Sequence, residues 1–311
     1  MQILKGKMQV DLKTAEFLVN YFCLFFLIVF LTVSGIPIVG YLMQVAAIFS
    51  VIYFVFEGMI IFALLGCIGS LVMAVLFFGF TPALIGVWAQ AMIPGAVLGR
   101  MMAVGKSPAK AFITSMIFLI VIALGIFLLE KNVIFGVIND SKEMAKNLVG
   151  GIESGAAGVR LTENIAKMFE TLRRLTPSLL ILSSVGQLFL GWVGLMLVLK
   201  MLGRFQPVLI SFAYWKMPYN YIYIVGIMVL LRLIGTEAMR VVADNVILFM
   251  AFFYALFGLS VFEYYLKKIK LSLLLRIIFY IAFLPGALFA IFIGLFDSYF
   301  DFRKVRARII G

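Results

Sequence analysis

Ionisable and amide side chains are scarce enough in this sequence that each one inside an apolar run is a candidate for chemistry. Gln90 and Gln187 lie well within such runs, while Glu57, Arg232, Glu237, Arg240, Asp244, Asn245 and Glu263 sit near the ends of theirs. Groups near an end can reach the headgroups or pair locally, as Glu237 and Arg240 would at a spacing of three. The most distinctive string runs from Gly294 to Lys304, GLFDSYFDFRK. In a helix Asp297 and Asp301 share a face at i and i+4. Two carboxylates there can hold a cation, do acid–base work, or be neutralised by Arg303 and Lys304. The alternative is an interfacial helix end whose aromatic rings anchor at headgroup level while the charges stay wet. The chain has no histidine, which excludes serine–histidine and cysteine–histidine hydrolysis and removes the commonest zinc ligand. Cys23 and Cys67 fall in separate apolar runs and read as small buried hydrophobes. Phosphate-binding glycine loops, dinucleotide fingerprints and metal-ligand spacings do not occur, so no cofactor, metal or catalytic residue is expected.

The elements that must position these residues follow from composition. Hydrophobic residues make up 65% of the 311 and charged residues 13%, against about 45 to 50% and about 25% in a soluble domain. A mean hydropathy of +1.17 cannot be hidden in one soluble core, because a fold of this size must still cover its outside with polar groups. The expected solvent is a bilayer, in an all-helical, multi-pass protein. The first apolar run follows Lys5, Lys7, Asp11 and Lys13 without a cleavage signal, so it is expected to remain as a span. In a soluble domain the net charge of +12 would suggest nucleic acid. Here basic side chains gather at span ends and against anionic headgroups, so membrane lipids are the expected partners and nucleic acid is not.

A span needs about 20 apolar residues. Nine segments qualify, at 17–34, 38–56, 58–78, 83–104, 109–129, 177–200, 219–235, 243–266 and 272–296. Thr81-Pro82, Ser107-Pro108 and Thr176-Pro177 each offer an N-cap hydroxyl followed by proline at the first helical position. Glu57-Gly58 is a thin break between the second and third segments. Pro285-Gly286, in the middle of the ninth, either kinks it or turns it back as two half-helices, giving about eight to nine crossings. Residues 130–176 are the one long polar stretch, with six acids and seven bases. Met144, Leu148 and Ile152, then Leu161, Ile165, Met168, Leu172 and Leu175, recur at helical spacing, which predicts an amphipathic hairpin on the membrane or the bundle, broken near Gly150-Gly151. Three parts result: a five-span bundle over 1–129, the polar segment, and the C-terminal spans with their basic tail over 177–311. With nine crossings and the N-terminus inside, each side collects thirteen bases. If the basic tail returns to the cytoplasm, that orientation wins by seventeen to nine.

Small residues fall four apart on the third segment, Gly66, Ser70 and Ala74, and on the fourth, Ala91, Gly95, Gly99 and Ala103. Such stripes let helix backbones approach closely, and these two are expected to pack on each other. The C-terminal string, Asn245 followed by Tyr254 and Gly258, the motif Tyr214-Trp215-Lys216-Met217-Pro218, and Pro177 together resemble the YybS-like family of bacterial membrane proteins over nearly the whole chain. Through that family the N-terminal half is similar to the substrate-binding S components of energy-coupling-factor vitamin transporters. The resemblance implies that the Ser34-Gly35-Ile36-Pro37 turn and the Glu57-Gly58 break fall between the first three helices of an S-component-like bundle. It does not extend to the alanine stripe with which those proteins dock on their transmembrane partner, absent from Phe17 to Val33. The expected function is a non-enzymatic solute-binding or transport-related subunit, with a small-molecule ligand and a membrane-protein partner or second copy as candidate partners. The alternatives are a scaffold working through protein partners, or an intramembrane enzyme on a lipid-linked substrate. The candidate ligand or charged-cluster residues are Gln90, Gln187, Arg232, Asn245, Asp297, Asp301 and Arg303.

Overall fold

The computed structural model describes residues 17–29, 37–106, 108–152, 156–203, 212–283 and 286–303, and among these there is no strand. Helix α1 is Phe17–Val29. It is followed by α2 (Pro37–Phe56), α3 (Ile60–Phe78), α4 (Pro82–Ala103), α5 (Pro108–Ile152) and α6 (Ala156–Met201). After the 3-10 turn Phe212–Tyr214 come α7 (Tyr221–Ile234), α8 (Glu237–Lys268), α9 (Leu273–Phe283) and α10 (Ala287–Phe300). Six of these helices are long and apolar enough to cross a membrane. The helix starts are partly as the caps predict. Thr81 accepts a bond from the Leu84 amide at 3.3 Å, with Pro82 at the head of α4, and α5 opens at Pro108.

Thr176-Pro177 does not start a helix. Helix α6 runs through Pro177, and the Thr176 hydroxyl donates back to the Leu172 carbonyl at 2.9 Å. The polar segment is therefore not set off from its apolar neighbours: residues 130–152 continue α5, and residues 156–176 open α6. Gly150 and Gly151 are helical, and residues 153–155 lie outside the described set. At about 1.5 Å per residue α5 and α6 are each roughly 65 to 70 Å long against a hydrocarbon core of about 30 Å, so each extends well beyond its span. The ninth segment is two helices, α9 and α10, with 284 and 285 outside the described residues.

The chain forms two compact units, residues 1–169 with 179–208, and residues 170–178 with 209–311. In the first, α2 is the buried centre, with Ala47, Ile48 and every residue from Ser50 to Val55 buried. The small-residue stripes do not face one another. On α4, a Cβ at Gly99 would stand 2.6 Å from the Ile52 carbonyl oxygen, and one at Gly95 3.3 Å from that of Ile48, so this stripe seats α2. Gly191 of α6 meets the other side of Ile48. On α3, Gly66 packs on Leu27 of α1, while Ser70 and Ala74 are buried. Helix α3 meets α4 elsewhere, through the Trp88 indole on the Cys67 carbonyl at 3.0 Å and the Cys67 thiol on Met92 at 3.1 Å. The reason is angular: Cys67 and Met92 each lie one residue round the helix from the stripe.

In the second unit Met217, Met250 and Tyr254 are buried together, with Ile222, Val246 and Leu295 packed against them. Helices α8 and α10 cross backbone to backbone. A Cβ at Gly258 would overlap the Ala290 carbonyl, and one at Gly294 the Tyr254 carbonyl.

Candidate functional site

The C-terminal string closes the second unit. Helix α10 ends at Phe300, and Asp301 is its cap in the left-handed region (φ 52°), its amide bonding the Asp297 carbonyl at 3.0 Å. The backbone turns there, which brings Arg303 back over the helix end. Arg303 Nη1 donates to the Ala213 carbonyl at 2.6 Å and to Ser260 Oγ at 2.9 Å. Its Nη2 donates to the Trp215 carbonyl and to Asp297 Oδ2, both at 2.7 Å. Asp297 is 1% and Arg303 2% exposed, so these charges are not wet. Asp301 does not share a helical face with Asp297 as a second cation ligand; its carboxylate pairs with Lys216 Nζ at 2.5 Å. Lys304, the other expected partner, lies outside the described residues. Both acids are thus held by bases, and among the described residues no group of three His, Cys, Asp or Glu could hold a metal ion.

A second buried carboxylate, Glu263, ties α9 to the same end of α8. Arg276 Nη1 reaches it at 2.5 Å, the Tyr280 hydroxyl at 2.8 Å and Lys267 at 3.3 Å. Arg276 opens the α9–α10 segment and Arg303 follows it, yet both are fastened within four residues of one another on α8, at Glu263 and Ser260. The segment leaves and returns at one end of α8.

The other end of α8 carries Asn245. Pro177 has no N–H to give α6. In an uninterrupted helix the next amide, Ser178 N, would bond the Arg174 carbonyl; here the Asn245 carboxamide engages both. Its Oδ1 accepts from Ser178 N at 3.0 Å and its Nδ2 donates to the Arg174 carbonyl at 2.8 Å, and to Val241 at 2.8 Å. The Ser178 hydroxyl donates to the Asn245 carbonyl at 2.7 Å. Asn245 is therefore a clasp on the proline-bearing turn.

Beside the clasp is an open cleft of about 270 Å³ lined by Arg174, Arg232, Leu233, Glu237, Arg240 and Asp244. Glu237 does not pair with Arg240 three residues on. It pairs with Arg174 at 2.5 Å, and Arg240 Nε donates to the Gly235 carbonyl at 3.1 Å. Arg232 Nε pairs with Asp244 at 2.6 Å across the α7–α8 corner. Arg174 was not legible as a site residue, because its partner is 63 residues away.

The two glutamines belong to the first unit. Gln90 Nε2 donates to Ser184 Oγ, and Gln187 Nε2 to Gln44 Oε1 at 2.8 Å. These bonds join α4 and α2 to α6, so the amides find one another; Gln44 and Ser184 carried no signal beyond being polar in apolar runs. Such bonds are worth about 0.6 to 2 kcal/mol each in a membrane.

The chain matches the model of the family described as "Predicted membrane protein (DUF2232)" over residues 23–298. No curated protein matches it, and no solved structure does.

Proposed function

We propose, for a chain that belongs to the DUF2232 family of predicted membrane proteins, that this integral membrane protein is a non-enzymatic solute-binding or transport-related subunit of a bacterial inner membrane. The observation that carries the reading is the arginine cleft, in which polar groups from three helices surround one open cavity. A helix bundle that served only to pack would gain nothing from it. The YybS-like resemblance supports the same reading, since the S components to which it leads are binding subunits. The intramembrane-enzyme alternative is weakened, because Asp297 and Asp301 already have basic partners.

A scaffold is the second reading, favoured by the apolar residues Val133, Val137, Met144 and Leu148 of α5 and Leu161 and Met168 of α6, all exposed where these helices run past their spans. Thermal melting of the purified protein in detergent against a panel of small solutes separates the two. A solute at 100-fold its Kd stabilises by about 2.7 kcal/mol. At least one solute is expected to raise the wild-type midpoint and to lose that effect in the Arg232→Gln/Arg240→Gln variant. If no solute does so, the binding reading fails and the scaffold reading takes its place.

A further inference from the structure

We infer that the cleft at the α7–α8 corner binds a phosphate group, as a monoester, diester or free anion, with Arg174, Arg232 and Arg240 as its donors. The inference rests on the cleft being a binding site and gives its ligand a chemical class. Charge is the first ground. Three guanidiniums face the carboxylates Glu237 and Asp244 in the same wall, leaving one net positive charge. Helix α8 also begins here, and its N-cap Thr236 makes no side-chain capping bond, so the positive end of the helix dipole adds to that charge.

Donor geometry is the second ground. A guanidinium carries five N–H groups. Arg174 uses Nη2 on Glu237, and its Nε is buried without a partner. Arg232 and Arg240 engage Asp244 and the Gly235 carbonyl through Nε, and their Nη groups make no bond among the described residues. Forks held by their inner nitrogen present the outer ones to the cleft. They approach from α6, α7 and α8, three directions that suit the separated oxygens of a tetrahedral phosphate better than the two coplanar oxygens of a carboxylate.

The cleft's surroundings supply the third ground. Its volume of about 270 Å³ exceeds what a bare phosphate fills, leaving room for a substituent. Leu230, Leu233, Ile234, Met239 and Val242 are exposed around it. On a chain that spans a membrane this apolar rim faces acyl chains, so a phospholipid can seat its phosphate in the forks and its chains on the rim. Free phosphate would use the forks alone.

The test uses full-length protein, delipidated in detergent and melted with four probes: dioleoylphosphatidylglycerol, dioleoylglycerol, inorganic phosphate and citrate. The phosphatidylglycerol is expected to raise the wild-type midpoint, and dioleoylglycerol, with the same chains and no phosphate, is not. Each arginine changed to glutamine at 232 or 240 is expected to weaken the apparent affinity on the order of tenfold. Arg232→Lys/Arg240→Lys, which keeps charge but loses the forks, should bind with an affinity between those of wild type and the glutamine variants. Competition by inorganic phosphate also supports the site and assigns a soluble source; lipid binding without it assigns a headgroup. Equal effects of dioleoylglycerol and phosphatidylglycerol, or equal affinity in the glutamine variants, would overturn the inference. An arginine-dependent shift with citrate and none with either phosphate probe overturns the phosphate class and leaves the solute-binding reading standing; no shift with any of the four probes overturns the phosphate inference, and the wider solute panel decides the solute-binding reading separately.

Discussion

Arg303 is the residue whose loss should cost the second unit most, because all four of its Nη donor positions are used on partners that have no water to fall back on. Arg303→Met would leave Asp297 buried and unpaired, and breaking one side of a buried pair costs about 3 to 5 kcal/mol. Arg303→Lys should recover little, since one ammonium has three donors on a single nitrogen and cannot span the Ala213 and Trp215 carbonyls together with Asp297. Midpoints in detergent check both, and wild-type melting of Arg303→Lys would sink the account. Asn245 gives a sharper comparison at similar cost in labour. Asn245→Asp keeps an acceptor for Ser178 N but has nothing to donate to the Arg174 and Val241 carbonyls, while Asn245→Leu leaves donor and acceptors alike unpaired. Each unpaired buried group costs about 1 to 3 kcal/mol, and the carboxylate adds repulsion from the two carbonyls, so both variants should melt below wild type. Wild-type midpoints in both would mean the clasp does not hold the proline turn. Asp297, Arg303 and Asn245 were legible as polar groups too costly to be idle in an apolar chain. What they bind was not, since Ser260 lies 43 residues from Arg303 on another helix, and the Ala213 and Trp215 carbonyls lie 90 and 88 residues away in a turn with no periodicity of its own.

At the scale of helices, small residues were legible and their partners were not. Spacing of four puts Gly95 and Gly99 on one face of α4, but nothing in α3 or α2 says which of them supplies the neighbour. The closer approach is to α2, so Gly99→Leu, which must displace the Ile52 carbonyl, is expected to lower the midpoint more than Gly95→Leu, whose Cβ has 3.3 Å of clearance. Small-to-large changes in a packed contact cost about 1 to 3 kcal/mol, and backbone cannot yield as a side chain can. A midpoint for Gly99→Leu at or above that of Gly95→Leu would contradict this packing. Helix ends show the same limit. Pro82 starts a helix because nothing stands behind it, whereas Pro177 sits inside one because Asn245, far along the chain, takes up the freed backbone groups. Likewise the run Leu129, Glu130, Lys131 contains no breaker, so α5 has no reason to stop where its apolar span does. A change from apolar to amphipathic pattern marks a change of surroundings, not of element.

For the molecule as a whole, the two anchors of the α9–α10 segment bear on how the chain sits in the membrane. Counted as a simple ninth crossing, that segment leaves bases equally divided between the two sides and orientation undecided. Arg276 and Arg303 are instead fastened to neighbouring turns of α8, through Glu263 and Ser260, so the segment between them begins and ends at the same end of α8. With eight crossings and the N-terminus inside, the positive-inside rule gives seventeen bases to nine, which predicts Lys106, Lys216, Lys267 and the tail in the cytoplasm. The same count of crossings predicts residues 130–176 and the α7–α8 corner on the opposite side. Single cysteines test this directly, since Cys23 and Cys67 are buried and give little background. With a membrane-impermeant thiol reagent on intact cells, Asp140→Cys is expected to label at once, while Lys106→Cys and Arg308→Cys should label only after permeabilisation. If Arg308→Cys labels together with Asp140→Cys, α9 and α10 cross as one span and the anchors do not set the topology. If Lys106→Cys labels from outside and Asp140→Cys does not, the orientation is inverted and the cleft opens to the cytoplasm.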